Sequence, residues 1–394
     1  MSFKKETIGD VVELITNGVN CKQNKEGNGV KISRIETIAN REINYQKTGF
    51  SKLTEADRNK YKLIKGDILF SHINSPIHVG KVAIYNGSED LYHGVNLLKL
   101  RVKNHINPYY FKYFLDEVFQ SGYWRRTSKQ SVNQASVNQT DIKKIDFLYP
   151  ILSEQQRIVA KLDVAFAEID KGISQTQKSI ENTNLLFEEK IKQYFIHNIT
   201  NSPIVKLSDI SEYFNGLTYS PKDVSEDGLI VLRSGNIQNG KMKYQDIKRV
   251  NKKIKDKLYV KPTDILICSR NGSQRLIGKS SLIGEIKEPM TFGTFMMILR
   301  SEHNKYLQWF IKSKLFKKQI LKGENTMINQ ITRYMLDDIS LPFPDKKNYT
   351  KIAKELEELD GHIRMLNKIL NIKIDNFKAL KSSILQQELL DEVA

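Results

Sequence analysis

"GDILFS" occupies residues 66–71 and "TDILIC" residues 263–268. Each places one acidic residue at the entry to a short apolar run that closes on a polar loop. Asp67 and Asp264 are 197 positions apart in a chain of 394 residues, half its length. Matched blocks on both sides of the hexamer show one unit written twice. "ISRIETIANREINYQ" (32–46) lies over "VLRSGNIQNGKMKYQ" (231–245), setting Arg34 on Arg233, Ile38 on Ile237, Asn40 on Asn239 and Tyr45 on Tyr244. "GDVVELITNG" lies over "SDISEYFNG", and Gly80 and Lys81 over Gly278 and Lys279. "GVNLLKLR" (94–101) lies over "GTFMMILR" (293–300), and "SVNQTDIKKIDFLYP" (136–150) over "QITRYMLDDISLPFP" (330–344). The order is kept throughout and the offset drifts only from 199 to 194, which identifies a tandem duplication.

Each unit has two parts. The first, about 150 residues long, carries short β-rich runs such as "VKISRI", "KVAIYNG" and "NLLKLRV" separated by Gly, Asn and Ser turns. A helix-like stretch follows, "NPYYFKYFLDEVFQSGYWRR" in one unit and "KYLQWFIKSKLFKKQIL" in the other. Frequent turns and short strands predict a small α+β domain on a curved sheet or barrel. The second part is a long helix. In the first copy "SEQQ" (153–156) reads as a capping box, with Ser153 as cap and Gln156 returning the bond. Apolar or small residues then recur at 162, 166, 169, 173, 176, 180, 183, 187 and 194. The second copy runs Ile352, Leu356, Leu359, Ile363, Leu366, Leu370, Phe377, Leu380 and Ile384. Alternating steps of three and four are coiled-coil spacing. Helices of about 40 residues reach roughly 60 Å, too long for domains of this size, so they are expected to pack on each other. The expected divisions are 1–150 and 201–346 for the two α+β domains, 151–200 and 347–394 for the helices.

The composition, 40% hydrophobic and 27% charged, is that of a water-soluble globular protein. No run of about 18 apolar residues predicts a membrane span, and "MSFKKETIGD" lacks the apolar core of a secretory signal. Cys21 and Cys268 sit in different halves and form no CxxC pair, which fits a reducing cytoplasm and neither disulfides nor zinc. A formal net charge of +17 points to a polyanionic partner, most simply nucleic acid.

Catalytic signatures are missing. The sequence has no GxxxxGK[ST] phosphate loop and no G-x-S-x-G elbow. His72 and His78 fall in a loop and read as surface residues. "NPYYF" (107–111) is similar to an adenine-methyltransferase N-P-P-[YF] site, but no glycine-rich cofactor loop precedes it and the second unit does not repeat it. Pro108 reads better as a helix start. Asp67 and Asp264 lack a second carboxylate repeated in both units, so neither builds a nuclease metal site. Two basic domains trailed by long helices that associate antiparallel would be held at opposite ends, related by a pseudo-two-fold. Such a body reads two separated half-sites on duplex DNA.

With these features, "YPILSEQQRIVAKLD" following a basic domain resembles the specificity subunit of type I restriction-modification systems. The resemblance spans essentially the whole chain. Its most specific part is P-x-L-x-E-Q-x-x-I, here Pro150, Leu152, Glu154, Gln155 and Ile158; "PFPDKKNYTKI" in the second copy keeps Pro344 and Ile352 but lacks the Glu-Gln pair. The resemblance implies two target recognition domains, each followed by a spacer helix, in a non-catalytic subunit. It further implies docking of two methyltransferase (modification) subunits, which carry S-adenosylmethionine, and of restriction subunits using ATP and Mg. Double-stranded DNA is the expected ligand, and no cofactor is expected in this chain.

Base-reading residues are expected where the units differ. His72-Ile73-Asn74 lies roughly opposite Arg270-Asn271-Gly272, and "YWRRTSKQ" (123–130) lies opposite "FKKQILKG" (316–323). The candidate DNA contacts are Arg34, His72, Asn74, Lys81, Arg125, Arg126, Lys129 and Gln130 in the first unit. In the second they are Arg233, Arg270, Asn271, Arg275, Lys279, Lys317, Lys318 and Arg333. Arg and Lys contact phosphate or guanine; Asn and Gln read adenine. Two other classes stay open on the residues alone: a structural coiled-coil adaptor with basic nucleic-acid-binding domains, and a DNA methyltransferase or nuclease whose site carries no familiar motif.

Overall fold

A computed structural model describes residues 3–321 and 330–390. The chain divides into two compact units, Met1–Thr176 with Ile372–Ala394, and Gln177–Asn371. Each unit takes one α+β domain and a part of each of two long helices, Leu152–Asn201 and Lys346–Leu390.

The repeated hexamer is a sheet strand in both units. In the first, a four-stranded antiparallel sheet runs in the order Val12–Asn17, Leu98–Val102, Ile68–Phe70, Val82–Ile84. In the second, the order is Glu212–Asn215, Met296–Arg300, Ile265–Cys268, Ser280–Leu282, again antiparallel. A strand covered on both faces reads as a continuous apolar run rather than an alternating one. Ile68 and Phe70 pack into the core shared with the helices, while Leu69 faces a second cluster with Ala83, Tyr85 and Leu97. Ile265 and Ile267, against Leu266 and Cys268, divide in the same way.

The acidic residue at the strand entry is a buried anchor. Asp67 is fully buried and takes two bonds from Arg101, from Nε at 2.7 Å and Nη2 at 2.9 Å. Its other contact is the Ile64 backbone N–H, at 2.9 Å. Asp264 repeats this with Arg300, at 2.8 and 2.6 Å, and with the Lys261 N–H at 2.8 Å. The register makes the pairing: Ile68 lies opposite Leu100 and Ile265 opposite Leu299, so each Asp meets the Arg one residue further on. The tight turn before the acid needs positive φ. Gly66 supplies it at 96°, whereas Thr263 adopts 68°, a strained value for a β-branched residue.

The helix-like stretches each resolve into two helices, Pro108–Gln120 with Tyr123–Thr127, and Asn304–Lys312 with Lys314–Ile320. Pro108 is the first residue of its helix, and Asn107 caps it by accepting from the Tyr109 and Tyr110 N–H groups. Tyr110 and Phe111 are buried core residues. "NPYYF" is therefore a capped helix start.

The expected capping box is not formed. The first long helix begins at Leu152, which puts Ser153 inside its first turn. Its neighbour Gln155 does more than either member of that box: fully buried, it accepts from the Asn107 N–H at 2.7 Å and donates to Pro150 O at 2.9 Å and His105 O at 3.2 Å. The Gln of the P-x-L-x-E-Q-x-x-I stretch thus latches the long helix to the α+β domain. Tyr349 stands at the matching position of the second copy. It replaces the amide latch with an aromatic cluster, its hydroxyl 3.0 Å from His303 Nδ1 and its ring stacked on Phe343. Gln155→Ala leaves three backbone groups without this partner and is expected to destabilise by about 2–3 kcal/mol, read as a lowered denaturant midpoint.

Within each unit the long helices run antiparallel. In the first, Lys161 pairs with Glu388 at 2.5 Å and Asp170 with Lys381 at 2.6 Å, so one chain ascends as the other descends. In the second, Asn184 bonds Asn367 at 2.9 Å and Tyr194 bonds Glu355 at 2.6 Å in the same sense. The first helix keeps its expected stripe: Leu162, Phe166, Ile169 and Thr176 are buried. The second departs from it. Leu366 and Leu380 are exposed, while Ile374, Leu385 and Leu389 are buried instead. A 3.6-residue helix drifts against a strict 3.5 repeat, and Leu385 and Leu389 belong to the first domain's core.

Candidate nucleic-acid interface

A matching cleft occurs in each α+β domain, and the two are assembled from the same pieces. In the first domain Asn17, at the end of a sheet strand, faces His72 and Ile73, which follow the Asp-Ile-Leu strand. Ser136, Val137, Asn138 and Gln139, at the start of the short helix Gln139–Lys143, form the third wall, with Lys129 beside them. In the second domain the same places hold Asn215; Ser269 and Arg270; and Gln330, Ile331, Thr332 and Arg333. That cleft encloses about 670 Å³ and the first about 380 Å³. Backbone bonds fix the equivalence: the Val137 N–H donates to His72 O at 2.9 Å and the Ile331 N–H to Ser269 O at 2.7 Å. Asn138 and Thr332 both cap the short helix, accepting from the Asp141 and Met335 N–H groups.

This bonding moves the comparison of the units by one residue. His72 stands opposite Ser269 rather than Arg270, and Arg270 opposite Ile73. Asn74 stands opposite Asn271; Asn74 ends the short strand Ile73–Asn74 and Asn271 lies in a loop. Asn74 bonds Ser71 Oγ and accepts from the Ser75 N–H. Asn271 bonds Ser234 Oγ and accepts from the Ser273 N–H.

The remaining candidates fall into three groups. Arg34 and Arg233 each precede a 3-10 turn, and each backbone N–H donates to the side chain three residues on, Thr37 or Asn236. Their guanidinium groups lie 3.7 Å from Glu36 and 3.2 Å from Asp246. Lys81 and Lys279 reach back to this turn and bond Ala39 O at 2.7 Å and Ser234 O at 3.3 Å; burial, with Arg41 nearby, pushes the Lys81 ammonium below the usual lysine range. Arg125, Arg126, Lys129 and Gln130 form an exposed cluster on the helix Tyr123–Thr127 and the strand Lys129–Ser131. Lys317 and Lys318 are exposed on the corresponding helix Lys314–Ile320, and Arg275 is exposed on a short turn. The end of "FKKQILKG", from residue 322, lies outside the described residues. His72 and His78 are half-buried rather than on the surface, because the chain folds back over them. Burial lowers the His72 pKa and so favours the neutral ring.

The clefts differ in the side chains that line them. Arg270 lies over the Phe295 ring at 5.8 Å, Arg333 sits across from it, and Tyr334 is 83% exposed at the rim. In the first cleft Gln139 occupies the Arg333 position, with its amide 3.3 Å from Asn17 Oδ1. Asn17, Asn215, Gln139, Gln330 and Tyr334 are cleft residues that charge and spacing did not single out. Their signal lay in the matched "TNG" and "FNG" and in unlike residues at the head of the last matched block. Among the described residues no group of three or more His, Cys, Asp or Glu side chains is placed to hold a metal ion. No helix among them is long and apolar enough to cross a membrane.

The model of the type I restriction modification DNA specificity domain matches this sequence twice, over residues 2–182 and 201–374. The chain belongs to the type I restriction-modification specificity family. A putative type I restriction enzyme MjaX specificity subunit from Methanocaldococcus jannaschii is 32% identical over 93% of this chain and 92% of its own. The EcoKI specificity subunit of Escherichia coli K12 is 24% identical over 50% of this chain and 43% of its own. Among solved structures, a chain described under "Structural basis underlying complex assembly and conformational transition of the type I R-M system" superposes with a TM-score of 0.73. It is 15% identical and covers 98% of this chain and 97% of its own. The HsdS subunit from Thermoanaerobacter tengcongensis gives a TM-score of 0.50 at 14% identity, over 98% and 96% of the two chains. In this specificity-family member each of the two matches contains one of the clefts, so the duplicated site is one per target recognition domain.

Proposed function

We propose that the chain is the DNA-reading subunit of a type I restriction-modification complex, and that its two recognition domains each read one half of an asymmetric, bipartite duplex target. The observation that carries this reading is the cleft built twice on the same backbone with unlike polar side chains. A shared scaffold gives both domains the same approach to DNA. Gln139 against Arg333 and His72 against Ser269 give each a different base preference. Arg34, Arg233, Arg125, Arg126, Lys317 and Lys318 act as phosphate contacts that position the domains. The chain itself performs no catalysis. The long helices dock two modification subunits, which supply S-adenosylmethionine, and the assembly recruits restriction subunits that use ATP and Mg. Leu185, Leu186, Met365 and Ile369, each at least 52% exposed on those helices, support such docking.

The test is to express the full chain with its modification subunits and map methylated bases across the host genome. A motif of two unlike half-sites with a fixed gap is expected. Methyl transfer by the purified chain alone would support the enzyme class instead, and binding without any sequence preference the adaptor class.

Affinity for duplex DNA is expected to fall steeply with salt. About six phosphate contacts correspond to a loss on the order of a thousandfold between about 50 and 200 mM. Changing Arg125 and Arg126 together to Ala is expected to weaken binding to target and random duplex alike, and to lower the salt slope by about two. Titrations of fluorescent duplexes at several salt concentrations measure both.

A further inference from the structure

The tetrapeptide Ser-Val-Asn-Gln occurs twice in succession, at 131–134 and 136–139, and the fold uses the copies in opposite ways. In the second copy Val137 is 3% exposed, Asn138 caps a helix and Gln139 faces the cleft. In the first, Val132 and Asn133 form the two-residue tip of a β-ribbon made by Lys129–Ser131 and Gln134–Ser136, whose second strand also pairs with Ile73–Asn74 to make a three-stranded sheet. Asn133 takes the left-handed conformation the tip requires, with φ at 62°, and Val132 is 92% exposed.

Paired strand residues share a face. The register sets Lys129 opposite Ser136 and Ser131 opposite Gln134, so these four line one face of the ribbon. Ala135, 1% exposed, seats the other face on the domain, where Gln130 is held by the Arg125 carbonyl at 2.8 Å. The four-residue face continues the cleft wall, because Lys129 and Ser136 line the cleft together with Asn17 and Gln139. The surface is thus a run of amides and hydroxyls with one lysine, next to Arg125 and Arg126. The one carboxylate at the cleft, Asp141, is turned back onto the Asn138 N–H. Among the described residues the Gln134 side-chain amide has no partner.

Resting on the DNA-reading function proposed above, we infer that this ribbon enters the major groove, where Gln134 and Gln139 read base edges and Val132 lies against a thymine methyl. Three features fit. A major groove about 12 Å wide admits a two-stranded ribbon, and the tip, residues 131–134, extends past the Ile73–Asn74 strand, which pairs with Ala135 and Ser136. A Gln amide matches the paired donor and acceptor on the adenine edge, and an exposed aliphatic tip matches the methyl of thymine. The flanking arginines reach the phosphates that border the groove. The first half-site therefore contains at least one A·T pair under the ribbon. The second domain reads its own half-site with Arg333 and Arg270, a pairing suited to guanine.

The experiment offers a pool of random-sequence duplexes to the full chain assembled with its modification subunits, and sequences the bound fraction. The wild type is expected to enrich two half-sites. Gln134→Ala and Val132→Ser, both at exposed positions that the core does not use, are each expected to relax preference at one A·T position of the first half-site by roughly tenfold or more. The second half-site should be unchanged. Variants that enrich the wild-type motif at full strength overturn the ribbon while leaving DNA reading intact. A uniform loss of binding with both half-sites preserved makes the ribbon a backbone contact and also overturns it. A wild-type assembly that enriches no motif removes the DNA-reading function itself, and the ribbon with it.

Discussion

Asp67→Ala is expected to unfold the first domain about 6–12 °C earlier than the wild type, at about 2–4 °C per kcal/mol for a unit of this size. The carboxylate is fully buried and holds both the Arg101 guanidinium and the Ile64 N–H. Removing one partner of a buried pair leaves the other charge uncompensated, at about 3–5 kcal/mol. Arg101 keeps about a quarter of its side-chain exposure (24%) and regains some water, which places the cost near the lower end. The two tryptophans give separate readouts, since Trp124 lies in the first unit and Trp309 in the second. In single-tryptophan backgrounds, Asp67→Ala should move the Trp124 transition and leave the Trp309 transition in place. Replacing the pair together, Asp67→Leu with Arg101→Met, should recover much of the loss, because apolar residues of similar volume substitute well for buried ion pairs. A change below about 1 kcal/mol in Asp67→Ala would put the pair among ordinary surface bridges. Asp264→Ala is the matching experiment in the second unit. There Arg300 also donates to Tyr259 O at 2.9 Å, so the guanidinium keeps one partner.

That ion pair also shows what the sequence could and could not disclose. Two matched blocks ending in Arg101 and Arg300, and two hexamers carrying Asp67 and Asp264, are visible in the letters. Their pairing depends on strand register, which only the folded sheet supplies. The duplication, the α+β class and the long helices follow from order and spacing, which do not need coordinates. The capping box was misplaced because Ser153 and Gln156 have the right types at the right spacing, while Gln155 gets its role from contacts with residues 105 and 107, about 50 positions earlier in the chain. The heptad stripe was correct along the first helix. It fails at Leu366 and Leu380, because a 3.6-residue helix drifts against a strict 3.5 repeat and the end of the second helix joins the first domain's core. At the clefts, charge singled out Arg270, Arg333 and Lys129. The neutral residues Asn17, Gln139 and Tyr334 give no signal in composition and are brought in by the fold. The charge of Lys81 and Lys279 is visible in the sequence, but their ammonium groups are bonded to the carbonyls of Ala39 and Ser234.

We propose that the two recognition domains read the two half-sites separately and that the length of the long helices sets the gap between those half-sites. Removing one heptad from each helix, residues 177–183 and 368–374, takes out matched segments between the Asp170–Lys381 and Asn184–Asn367 contacts. At about 1.5 Å per residue the helices shorten by roughly 10 Å. Duplex DNA rises about 3.4 Å per base pair, so the preferred gap should contract by about three base pairs. Three base pairs are close to a third of a duplex turn, and the altered phase is expected to lower activity without abolishing it. Both half-site sequences should remain as in the wild type, because the clefts and the ribbon are untouched. The direct measurement is the genome-wide methylation motif made by the shortened chain with its modification subunits, set beside that of the wild type. The same two half-sites with a gap about three base pairs shorter is the expected result. An active variant with an unchanged gap would contradict the claim.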